Sequence, residues 1–86
     1  MKAEELENAV VKALVENGSD EIAVWVEKSI PEIPGEGQCF HIRLNGDIFM
    51  DDLNTVVEVT GDKNIIIDGH PLGGLDIFCC IKNNPD

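Results

Sequence analysis

Ala3 to Asn17 is the stretch of the chain with a sustained helical rhythm of apolar residues. There Leu6, Ala9, Val10, Ala13 and Leu14 fall on one stripe at about 100° per residue, which predicts an amphipathic helix. Ala3 extends the stripe toward its start. Glu4, Glu5 and Glu7 crowd the first turns, where unpaired backbone N–H groups favour negative charge. Gly18 follows the last turn and can adopt the left-handed conformation that closes a helix. Val11 and Val15 break the pattern: they lie one turn apart on the back of the cylinder. They are either tolerated surface valines or a ridge for self-association or for a partner.

After the polar Ser19-Asp20-Glu21 connector the rhythm changes to two. Ile22, Val24 and Val26 alternate with Ala23, Trp25 and Glu27, which predicts a strand with one buried face and places Trp25 on the other. Ile30 to Gly37 reads as a loop, since Pro31 and Pro34 cannot both serve a sheet ladder. Its carboxylates are Glu32 and Glu36. Alternation resumes in Cys39 to Leu44, with Phe40, Ile42 and Leu44 facing one way and Cys39, His41 and Arg43 the other.

Asn45-Gly46 is a hairpin signal, with Ile48, Phe49 and Met50 as the returning strand. Depending on register, Phe49 or the Ile48–Met50 pair then joins Trp25 on the outer face. Asp51 to Asn54 reads as an acidic turn, and β-branched Thr55 to Thr60 as a strand. Gly61 to Asn64 forms a turn, Ile65 to Ile67 a short strand, and Gly69 to Gly74 a second loop. Leu75 to Ile81 is the last strand, and residues 83–86 form a frayed tail.

The pattern therefore predicts a single α+β domain over residues 1–86. One N-terminal helix packs on an antiparallel meander of five to six strands, because short connections favour antiparallel neighbours. A small, partly closed β-barrel plugged by the helix is the runner-up architecture.

Charge changes the functional picture more than composition does. Seventeen acidic against six basic residues give a formal net charge of −11. Such a field repels nucleic acid and anionic membrane surfaces, which need clustered Lys and Arg. It favours encounter with a basic protein. No apolar run approaches the roughly 20 residues of a membrane span. The acidic start does not resemble a secretory signal. Three cysteines, two of them adjacent, make a poor disulfide framework, so buried free thiols in a cytoplasmic protein are the expectation.

Candidate chemistry is sparse. Cys39, His41, His70, Cys79 and Cys80 are zinc-accepting types, yet adjacent Cys79 and Cys80 point to opposite faces and the spacing matches no familiar site. A cysteine–histidine nucleophile finds no activating helix terminus or oxyanion donor. The aspartates lack the D-x-D-x-D-G pattern of a calcium loop and read as turn residues. Gly73-Gly74 precedes a strand rather than a helix, so it lacks a phosphate cradle.

The expectation is thus a non-enzymatic module without metal or cofactor. It binds, and inhibits or neutralises, a basic protein such as a nuclease or toxin. Trp25 and Phe49 would anchor that partner, and Glu32, Glu36, Asp51 and Asp52 would steer it. The alternatives are a homo-oligomeric accessory domain using Val11 and Val15, and a small ligand-binding or enzyme domain using His41, His70 and a cysteine.

Overall fold

A computed structural model of the chain describes residues 2–30, 37–62 and 64–81. The helical stripe folds as expected. Helix α1, Ala3–Glu16, buries Leu6, Val10 and Leu14 along its inner side. Glu5 accepts the Lys2 N–H at 3.0 Å, and Gly18 closes the helix with a positive φ of 83°. The Gly18 and Ser19 N–H groups donate back to the Val15 and Leu14 carbonyls, which satisfies acceptors that a helix end leaves open.

Strands β1, Ala23–Ser29, and β2, Gln38–Asn45, pair antiparallel as neighbours. Beyond β2 the chain departs from expectation. Residues read as a returning strand, an acidic turn and a further strand form one helix instead, α2, Met50–Thr60. Burial decides this. Asp52, Val56 and Thr60 are buried at four-residue spacing, so a period near 3.6 overrides the strand preference of the β-branched residues between them. Asp51 and Asp52 occupy the first turn, and left-handed Gly61 ends the helix.

No hairpin forms at Asn45-Gly46. Gly46 has a φ of +138°, and a Cβ there would sit 3.4 Å from the Glu21 carbonyl oxygen and the Ile22 Cα. The glycine thus lets β2 exit beside the α1–β1 connector, and the chain then runs into α2.

Two strands complete the sheet: β3, Ile66–Gly69, and β4, Leu75–Ile81. The order is β1-β2-β4-β3, antiparallel at each step. The protein is therefore α+β, and its described residues hold four strands rather than five or six and two helices rather than one. The sheet is neither a sequential meander nor a barrel, because α2 carries the chain past the place that β4 then fills. Gly74 allows that insertion, since a Cβ on it would collide with the Leu44 carbonyl oxygen.

The core lies between the helices and one face of the sheet. Leu6, Val10 and Leu14 of α1 and Val56 of α2 meet Phe40, Ile42, Leu44, Ile77 and Cys79. Both helices are on this side. Asp52, inside the junction of α1 and α2, accepts from the Asn17 side chain at 3.3 Å, the Phe49 N–H at 2.9 Å and the Ser19 hydroxyl.

The cysteines also depart from expectation. Cys39 and Cys80 are register partners on β2 and β4 and form a disulfide. Strand order, which spacing in the sequence does not reveal, puts them opposite one another. Cys79 alone keeps a thiol and is buried on the core side. Reduced cysteines therefore no longer support a cytoplasmic setting for this chain.

Candidate functional site

Alternation sends every second side chain of the sheet away from the helices, and register arranges those side chains in rows. One row holds Glu27, His41, Phe78 and Ile66; the next holds Trp25, Arg43, Asp76 and Asp68. Neither helix covers this face. Trp25 is 53% exposed, Ile66 54% and Phe78 38%. Glu7, Trp25, Val26, Glu27, His41, Arg43 and His70 line a groove of about 360 Å³ along it.

His41 is held on the face from both sides. Its Nδ1 lies 3.0 Å from Glu27 Oε1 and its Nε2 2.8 Å from Asp76 Oδ1, so one imidazole bridges β1 and β4 through β2. The ring stacks on Phe78 with centroids 4.8 Å apart. Both facing atoms are acceptors, and only an imidazolium donates from both nitrogens. Burial disfavours that charge, but the hydrogen bonds and charges of Glu27 and Asp76 outweigh it and raise the His41 pKa above 6.5.

This coupling of protonation to folding has a definite sign. A raised folded-state pKa gives stability that is full below the ordinary imidazole value and lost as pH rises through the folded value. The urea midpoint should therefore fall above about pH 6.5, and His41→Gln should flatten that part of the profile. An unchanged slope in the variant would contradict the bridge.

Beside His41, the Arg43 guanidinium lies 5.6 Å from the centre of the Trp25 ring, within cation–π range. Its Nε is buried without a hydrogen-bond partner among the described residues. The face thus combines exposed aromatic surface, one stacked cation and a histidine held between two carboxylates.

The anticipated site residues are only partly brought together. Trp25 lies on the open face as expected. Phe49 does not join it: as the N-cap of α2 it belongs to the helix layer, where it is 69% exposed. Met50 is likewise exposed at the start of α2, and Ile48 packs against the core. Asp51 is exposed in the first turn of α2, whereas Asp52 is 1% exposed and turned inward, so it presents no steering charge. Glu32 and Glu36 lie outside the described residues, as does the tail expected at 83–86. Val11 and Val15 are 41% and 51% exposed on the back of α1. His70 sits at the groove, and its Nδ1 accepts the Leu72 N–H at 3.1 Å.

Sequence pattern does not single out Glu27, Arg43 and Asp76 as site residues. Alternation alone places them on the outer face, but their meeting with His41 and Trp25 depends on β4 lying beside β2.

The chain finds no match among protein-family models, curated proteins or solved structures.

Cys39 and Cys80 are joined to each other, and burial together with the charge of Asp62 pushes the Cys79 thiol up to about 11. None of the three offers a thiolate near neutral pH. Among the described residues no three His, Cys, Asp or Glu side chains converge as a metal site requires. No described helix is long and apolar enough to cross a membrane.

Proposed function

We propose that this chain is a non-enzymatic protein-interaction module. It binds, and by covering it inhibits, a basic protein through the open face of its sheet. The observation that carries this reading is the exposed row chemistry of that face, with Trp25 and Phe78 flanking Arg43 and His41. Aromatic side chains in such a setting make the anchors that interfaces favour. A net charge of −11 supplies long-range attraction for a basic partner and repels nucleic acid and anionic lipid. Trp25 and Phe78 replace Trp25 and Phe49 as the anchor pair, and Asp51, on the helix side, adds only to the net charge.

Capture from a native extract tests this reading. The wild-type chain should retain a basic protein at low salt and lose it as salt screens the attraction. Trp25→Ala should retain at least about tenfold less, the scale expected when an interface anchor is truncated. Equal capture by the variant, or capture indifferent to salt, would contradict it.

Exposed Val11 and Val15, one turn apart, support self-association as a second reading. Sedimentation at micromolar concentration separates the two, since a monomer at all concentrations removes the second.

A further inference from the structure

The two edges of the sheet are not alike. At the β1 edge Glu7 reaches across from α1 and accepts the Val26 N–H at 3.0 Å, so a main-chain donor that could pair with another strand is already taken. At the other edge, β3 pairs with β4 and with no other strand among the described residues, and all four of its residues are exposed. Ile66 is 54% exposed on the outer face and Ile67 40% exposed on the inner one. An incoming strand would therefore find apolar contact on both sides of its backbone.

The edge also carries a like-charge pair. Asp68 stands directly opposite Asp76, a like-charge pairing that costs stability across a ladder. Asp76 has His41 Nε2 at 2.8 Å. No ion pair reaches Asp68 among the described residues. A second copy of this chain would bring another net −11 to the edge and another Asp68 to the contact. A cationic occupant relieves what a second copy would aggravate.

We propose that β3 is the docking edge for an extended basic segment of a protein partner. The segment adds antiparallel as a fifth strand, with Lys or Arg opposite Asp68 and apolar residues opposite Ile67 and Ile66. This rests on the proposed binding of a basic protein and specifies where that partner's main chain lies. Hydrogen bonds to the edge supply affinity, and alternate side chains supply selectivity. The edge is continuous with the open face through Ile66, which lies opposite Phe78 in the row of His41.

The test uses the full chain, the capped peptide Lys-Thr-Lys-Val-Val-Lys and its counterpart with glutamate for lysine. Amide chemical shifts and hydrogen exchange are followed at low salt. The basic peptide should shift and protect the amides of residues 66–69, and the acidic peptide should not. Asp68→Lys, at an exposed position, should weaken the basic peptide about fivefold and let the acidic one bind. Equal response to both peptides, or an unchanged affinity in Asp68→Lys, overturns the proposal. Shifts at Trp25 and His41 with β3 unmoved also overturn it, while leaving the open-face reading intact. With no shifts anywhere the edge proposal fails, and the wider reading is decided by the capture experiment alone.

Discussion

Reducing the Cys39–Cys80 disulfide should lower the melting temperature by about 20 °C. The bond joins two strands across a sequence separation of 41 residues. Cross-linking at that separation removes loop-closure freedom from the unfolded chain worth roughly 4 kcal/mol in the chain-entropy model. In a domain of this size each kcal/mol moves the midpoint by about 4–8 °C. Thermal melts with and without a phosphine reductant measure the effect, and the double variant Cys39→Ser with Cys80→Ser should reproduce the reduced curve. Thiol counting gives a second readout. Without reductant, only Cys79 should be alkylated, and only after unfolding, because burial and a pKa of about 11 protect it in the native state. Three reactive thiols in the unreduced, unfolded chain would contradict the pairing.

Asp52→Ala should cost about 3 kcal/mol, enough to move the midpoint by about 15 °C. The carboxylate is 1% exposed and accepts from Ser19, Asn17 and the Phe49 N–H, tying the end of α1 to the start of α2. Removing it strands three donors at once. The Ser19 hydroxyl and the Phe49 N–H, with help from Asn17, hold its pKa below the ordinary carboxylate value, against the opposing effect of burial. A lowered folded-state pKa gives stability that is present above the unfolded value and lost as pH falls through the folded one. The acid limb of the stability profile should therefore lie below about pH 4 for this group and flatten in Asp52→Asn. A full-strength acid limb in that variant would show that Asp52 is not the group responsible.

How far the fold can be read from the sequence depends on where the deciding contacts lie. Helix α1 is legible because its stripe, acidic first turns and closing Gly18 are all local. Strands β1, β2 and β4 are legible because period-two alternation is local as well. Helix α2 is not. Thr55, Val56, Val57, Val59 and Thr60 carry strand preference, and the buried spacing of Asp52, Val56 and Thr60 includes two polar residues that hydrophobic patterning does not count. Without α2 the crossover is hidden too, and with it the true neighbours of β2, the Cys39–Cys80 pairing and the His41–Asp76 contact. Trp25 falls correctly on the outer face because that needs only its own strand. Phe49 is misplaced because its position depends on α2, and Asp52 because the segment that turns it inward reads as a turn. The charge of −11 needs no fold at all.

If the sheet face opposite the helices is the contact surface, hydrogen exchange tests it most directly, with the chain free and bound to the basic protein it captures. Exchange on the sheet segments that carry Trp25, His41, Arg43 and Phe78 should slow on binding, with α1 unchanged. Protection confined to α1 around Val11 and Val15, with these strands unaffected, would contradict it.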